Sequence, residues 1–243
     1  MNLAIIIGVS QYQRATPLPG CWADACNMRD LLVATGKYQR IITITHKTRA
    51  HQIKTRLKHI VEQHSQPGSE PINELLVYFS GHGVFTTQVL LCCSDFDPLR
   101  PEATSIPNDC LDDVFRTLKP KLSVKLLDAC QSGEPYIKSA PRVFKRANSP
   151  SRMPHFICMA SSRYDQPSMA TQLGSVFTTR WIGAVLHRSS GDILYSEIQE
   201  SVAESFRHDG LQRPYFVQQG HGLDVFARVN EQMIRLAKMW DMA

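Results

Sequence analysis

Two stretches constrain the fold more than any others. Glu74 to Ser80 runs straight into Ser80-Gly81-His82-Gly83, and Leu122 to Asp128 runs into Asp128-Ala129-Cys130-Gln131-Ser132-Gly133. Each is a near-continuous apolar run of strand length, the pattern of a parallel strand covered by helices on both faces. A third run, Leu3 to Val9, is rich in β-branched residues and ends at Gly8-Val9-Ser10. Parallel α/β sheets gather their reactive groups beyond the carboxyl ends of the strands. His82 and Cys130 lie just past two such ends, so neighbouring strands are expected to deliver them to one cleft despite their separation in sequence.

That placement suits a Cys-His dyad. A thiol with a free pKa of about 8.5 is only a few per cent thiolate at neutral pH, and a nearby imidazole raises its reactivity. The glycines around His82 suit a tight turn with exposed N–H groups, and the N–H groups of Gly83 and Cys130 could form an oxyanion hole. A buried structural cysteine and a turn histidine are the plainer alternative. The shared position at strand ends, beside glycines, favours the dyad.

The remaining elements follow in order. Cys21-Trp22-Ala23-Asp24-Ala25 leads a helix with apolar positions 25, 28, 31 and 32 that stops near Gly36. Taken alone, Asp24 reads as a partner for the helix dipole. Arg40 to Thr45 is a strand, 50–64 an amphipathic helix, and Val84 to Ser94 a hairpin whose Cys92 and Cys93 fill the core. Ser105 to Asp109 opens a helix carrying Leu111, Val114, Phe115 and Leu118. His155 to Ala160 is a fifth strand, helices follow at 175–188 and 195–207, and Pro214 to Gln218 is an edge strand. Domain 1–222 is then followed by a helix over 223–243, read from apolar positions 225, 226, 229, 233, 236, 237 and 240, either packed on the domain or leading into a further module.

Composition narrows the function. The net charge of +5 is dispersed, which gives no case for nucleic acid. Seven cysteines, an odd number without CxxC or zinc-type spacing, argue against a disulfide framework or a metal knuckle and for a reducing cytoplasm. The N-terminal apolar run is too short for a secretion signal, and no run approaches the roughly 20 apolar residues that span a bilayer. A nucleotide-binding reading fails for want of GxGxxG or GxxxxGK[ST].

The His-Gly turn followed by Asp128-Ala129-Cys130-Gln131-Ser132-Gly133 resembles the caspase-like cysteine peptidases of clan CD, whose His precedes the Cys by about 50 residues. The likeness is nearest to metacaspases, paracaspases and bacterial caspase-family proteins, because Asp128 stands where caspases carry Gln. It implies the α/β caspase-hemoglobinase fold, a three-layer sandwich with a mostly parallel six-stranded sheet flanked by helices.

The resemblance also implies a cysteine endopeptidase in which Cys130 attacks and His82 protonates the leaving amine. In those relatives the residues matching Cys21, Asp24, Ser80 and Asp128 line the pocket for the side chain before the cut bond, and Asp165 is a further sheet-edge position expected around the nucleophile. Two carboxylates in a partly desolvated pocket favour Arg, and Lys after it, over acidic side chains. The chain departs from the metacaspase pattern after Gln166, where Pro167-Ser168-Met169-Ala170 lacks the final acid of Asp-x-Gln-Thr-Ser-Ala-Asp.

Some metacaspases depend on calcium. The acids at 95/97 and 112/113 have no EF-hand-like spacing and read better as caps and solvated charge, so no metal or other cofactor is expected. The basic segment 134–155 reads equally as a solvated loop or as a processing linker cut at Lys138, Arg142, Lys145, Arg146 or Arg152. Expected partners are a protein or peptide substrate with a basic residue before the cut and a regulatory or sensor protein, as in bacterial defence. A caspase-like scaffold module without turnover is the alternative.

Overall fold

β1 (Asn2–Gly8), β3 (Glu74–Ser80) and β7 (Leu122–Asp128) pair in parallel at the centre of a six-stranded sheet, with β2 (Arg40–Ile44) on one side. β8 (Phe156–Ala160) adds in parallel to β7, and β12 (Tyr215–Gln219) closes the far edge antiparallel. The strand order is β12-β8-β7-β3-β1-β2. The computed structural model describes residues 1–129, 153, 155–162, 170–171, 174–208, 212–220 and 222–240.

Side-chain alternation divides the core in two. Ala4 and Ile6, Leu76 and Tyr78, and Val124 and Leu126 face one layer, where α1 (Gly20–Thr35), α4 (Val176–Leu186) and α5 (Tyr195–Ser205) pack. Leu3 and Ile5, Leu75 and Val77, and Leu127 face the other, under α2 (Ala50–His64) and α3 (Asn108–Leu118). The three-layer, mostly parallel sandwich expected from the sequence is thus present. Two more steps of the same alternation carry Gly8, Ser80 and Asp128 onto the α1 face. There α1 comes so close that a Cβ on Gly8 would lie 2.7 Å from the Ala25 Cβ and 2.9 Å from the Cys21 carbonyl oxygen.

Several expectations need correction. The hairpin is β4 (Gly83–Phe85) with β5 (Val89–Cys92), and β6 (Ser105–Pro107) joins it as a third strand, so α3 starts only at Asn108. The helix expected from 223 does not begin there. Val225–Arg228 is strand β13, antiparallel to β11 (Asp192–Leu194), and α6 runs over Glu231–Trp240. A four-residue segment with three apolar residues fits a helical stripe and a short strand alike, and pairing with β11 decides it. β9 (Ala170–Thr171) and β10 (Gly174–Ser175) form a further two-stranded ribbon.

The C-terminal part is held to the sheet's opposite end. Glu74, at the start of β3, accepts the Tyr195 hydroxyl at 2.7 Å and bonds Tyr38 and Lys37 as well. Lys37 also donates to the Val225 carbonyl at 2.8 Å. Met233 is buried, and Leu236, Ala237 and Trp240 pack on the α1-side core, so α6 lies against the sandwich.

An ion pair is buried on the α3 side. Lys125 is fully enclosed, with Nζ 2.5 Å from Asp112 Oδ1 and 2.8 Å from Asn108 Oδ1. Removing one partner of a buried ion pair strands the other, at a cost of about 3–5 kcal/mol. Lys125→Ala is accordingly expected to lower the unfolding free energy by that order in denaturant titrations. Lys125→Met, with Asp112→Leu to remove the stranded acid, should recover most of it.

Candidate active site

Ser80 and Asp128 are partners in the β3–β7 register, and the Gly81 N–H donates to the Asp128 carbonyl at 3.1 Å. The two chains therefore leave the sheet side by side, one toward His82 and the other toward Cys130. Cys130 lies outside the described residues, as do Asp165 and the proposed cleavage positions Lys138, Arg142, Lys145, Arg146 and Arg152. The residue before the cysteine is firmly held. Ala129 N–H reaches the Ser161 hydroxyl at 3.2 Å, and that hydroxyl is 3.1 Å from the Ala129 carbonyl.

His82 Nε2 is 2.8 Å from the Thr16 carbonyl oxygen. A carbonyl only accepts, so Nε2 carries a proton, and in the neutral ring the lone pair is on Nδ1. The imidazole is thus fixed in the tautomer that can take a proton through Nδ1. Thr16 completes the orientation through its backbone, a contribution that no residue type announces. Gly83 supplies the next group. Cys92 N–H donates to the His82 carbonyl at 2.9 Å, which makes Gly83↔Leu91 a non-hydrogen-bonded pair. β4 is the edge of its three-stranded sheet, so the Gly83 N–H points away from β5, as an oxyanion donor must.

A buried acidic cluster lies at the ends of β3 and β7. Asp24, Ser80, Asp128 and Cys21 are all buried, Asp24 with 1% and Asp128 with 3% of its surface exposed. Asp24 lies past the first turn of α1, and its partners are not the helix's own N–H groups: Ser80 Oγ donates to Oδ2 at 3.0 Å and the Ser175 N–H to Oδ1 at 2.9 Å. Thr178 donates to Asp128 Oδ2 at 2.5 Å, with Tyr78 2.7 Å behind it. Burial, and then the charge of Asp128, push the Asp24 carboxyl up to about 7, against the bonds from Ser175 and Ser80. Two carboxylates enclosed together hold a proton at neutral pH unless a cation joins them.

Gly174 lies against the Asp24 carboxylate. Its φ is +147°, and a Cβ there would lie 2.7 Å from Asp24 Oδ1. Gly174→Ala is expected to lower stability by about 1–3 kcal/mol through backbone strain. The displaced carboxylate should also raise KM for a cationic substrate more than it lowers kcat, a split that steady-state kinetics reads directly. Neither Gly174 nor Ser175 stood out in the sequence, where both precede an ordinary helix start.

The four acids considered for calcium serve this chain's own groups. Asp95 caps α2 through the Ala50 N–H at 2.9 Å, and Asp97 pairs with Arg14 at 2.5 Å and with Arg100 at 3.3 Å. Asp112 holds Lys125, and Asp113 holds Arg116 at 2.5 Å. Among the described residues no helix is long and apolar enough to cross a membrane.

The His82 turn and the buried acidic cluster both lie at the carboxyl edge of the mostly parallel sheet of a three-layer α/β sandwich. The family is specific: the caspase-domain model matches residues 1–224, and the chain belongs to that family, whose characteristic activity is cysteine peptidase. No curated protein matches by sequence. Among solved structures, caspase-1 from Spodoptera frugiperda is similar with a TM-score of 0.70 and 18% identity, over 95% of this chain and 91% of its own. A protein from Geobacter sulfurreducens is similar with a TM-score of 0.64 and 15% identity, over 94% of this chain and 99% of its own. At these identities the likeness shows the fold.

Proposed function

We propose that this chain is a cysteine endopeptidase that cuts after arginine, and less readily after lysine, through Cys130 and His82. The observation that supports the reading is the buried Asp24–Ser80–Asp128 cluster at the end of the strand that leads to His82, which we read as the pocket for the basic side chain. A planar guanidinium can meet two carboxylates at once, whereas an ammonium is a point charge, which favours arginine. An acidic side chain would meet like charge in a pocket that already holds a proton.

In the reaction, His82 Nδ1 takes the Cys130 proton and the thiolate attacks the carbonyl carbon of the basic residue. The oxyanion forms against the N–H groups of Gly83 and Cys130. The imidazolium then returns the proton to the departing amine, leaving a thioester and a free amino terminus. Water, deprotonated by the same imidazole, hydrolyses the thioester to a carboxylate and restores the thiol.

Arg-, Lys- and Asp-ended fluorogenic peptides, compared between wild type and Cys130→Ala, test this. Turnover of the Arg peptide by wild type alone supports it. Equal signals from both proteins, as a scaffold module would give, or a preference for the Asp peptide, overturn it. The same specificity would let the enzyme cut itself at Lys138, Arg142, Lys145, Arg146 or Arg152, with a partner or signal setting the moment. Wild type that stays a single band while cleaving the Arg peptide would contradict obligatory self-cleavage.

A further inference from the structure

The backbone N–H of His82 ends on a side chain from a distant loop. The Tyr12 hydroxyl accepts it at 2.8 Å, and the Tyr12 ring lies 4.7 Å from the His82 imidazole, tilted by 59°. One residue thus touches both the backbone and the ring of the proposed base. The hydroxyl hydrogen has an outlet as well, toward the Cys92 carbonyl at 3.5 Å. Cys92 is the residue whose own N–H holds the His82 carbonyl, so Tyr12 sits where the histidine turn joins the β4–β5 hairpin.

The surrounding chain leaves room for this contact. A Cβ on Gly81 would lie 2.7 Å from the Tyr12 oxygen and 2.9 Å from the Phe79 ring, so glycine before the histidine leaves the space that the tyrosine occupies. The loop that carries Tyr12 is closed on itself by Leu18 N–H to the Ser10 carbonyl at 2.8 Å. It is fastened to the far side of the hairpin by Gln13 N–H to the Ser94 carbonyl at 2.8 Å and by Arg14 to Asp97. The same loop presents the Thr16 carbonyl to Nε2. Burial raises the Tyr12 phenol well above its ordinary range, so the hydroxyl is neutral wherever the enzyme would work.

We propose that Tyr12 is a positioning residue for His82, its hydroxyl fixing the Gly81-His82 peptide and its ring setting the imidazole plane, so that Nε2 stays on Thr16 and the ring keeps one orientation. The inference rests on the dyad assigned above. It differs from a packing role in one respect: without the hydroxyl, the fold stands but the imidazole loses its single orientation. An amide hydrogen bond withdrawn from a buried site is worth about 1–3 kcal/mol, or roughly a 5- to 150-fold change in a population or rate.

Tyr12→Phe keeps the ring and removes the hydroxyl. It is expected to lower kcat on an Arg-ended peptide about 10- to 100-fold with KM within about twofold, because the acidic pocket is untouched. Nitrogen-15 spectra of the His82 ring should show one tautomer, protonated at Nε2, in the wild type and a mixture in Tyr12→Phe. Wild-type kcat with an unchanged tautomer overturns the proposal, and so does a loss of kcat with the tautomer unchanged. If the wild type cleaves no peptide, the peptidase reading fails and the ring spectra alone decide the positioning role. Should Tyr12→Phe not fold, hydrogen exchange of the wild-type His82 amide decides: slow exchange is expected, and exchange at the rate of an open turn overturns the bond itself.

Discussion

Replacing His82 by alanine is expected to lower kcat about 100- to 10,000-fold, the usual contribution of a positioned acid-base group. KM should change little, because His82 lies outside the acidic pocket. The loss should also shrink as the pH rises. Without an imidazole, Cys130 reverts toward a free thiol of pKa about 8.5, and its thiolate forms unaided above that pH. Wild type and His82→Ala should therefore converge in iodoacetamide alkylation rate at high pH and differ most near neutrality. A difference that does not change between pH 6 and 10 would mean that His82 does not act on the thiol.

Removing the pocket's charge has the second large effect. A hydrogen bond to a charged group contributes about 1.5–3 kcal/mol, so Asp128→Asn or Asp24→Asn should each lower kcat/KM for an Arg-ended peptide by about 10- to 100-fold. The two will not add simply, since they share one site. The pH dependence has a definite sign. The Asp24 carboxyl titrates near 7 in the free protein and near 3.9 when unfolded, so folding takes up a proton between those values. Its contribution to stability is fully present below about 4 and is lost as pH rises through about 7.

A bound guanidinium reverses this preference by stabilising the carboxylate, so binding should release a proton. Affinity of Cys130→Ala for an uncleaved Arg peptide should weaken by up to about tenfold per pH unit below 7. Calorimetry in buffers of different ionisation enthalpy measures the release, and Asp24→Asn should abolish it. A release that persists in Asp24→Asn would assign the proton to another group.

The sheet was legible because its central strands are buried on both faces. Leu3 to Val9, Glu74 to Ser80 and Leu122 to Asp128 read as continuous apolar runs that no amphipathic helix would show. Strand ends, and with them His82, Ser80 and Asp128, followed directly. That Asp24 shares a site with Ser80 came from resemblance, since an acid near a helix start has a plainer use at the dipole.

What was not legible acts through the backbone or through distant partners. Thr16 contributes a carbonyl, which every residue has, and Tyr12 sits in a loop without periodicity. Gly174 matters because of its φ and the carboxylate opposite it. Val225 to Arg228 fits a helical stripe because four residues cannot distinguish the two periods, and its pairing partner, β11, is shorter still.

The central claim is that one cleft joins a reactive sulfur, the oriented His82 and a cation-binding pocket. A peptide chloromethyl ketone ending in arginine tests all three together, because it needs the pocket to bind, and the thiolate and imidazole to react. Intact mass after incubation should show one adduct, mapped to Cys130, on wild type. It should be absent from Cys130→Ala, strongly slowed in Asp24→Asn, and not formed by the aspartate-ended reagent. An adduct on another cysteine, or equal labelling by the arginine and aspartate reagents, would contradict the account.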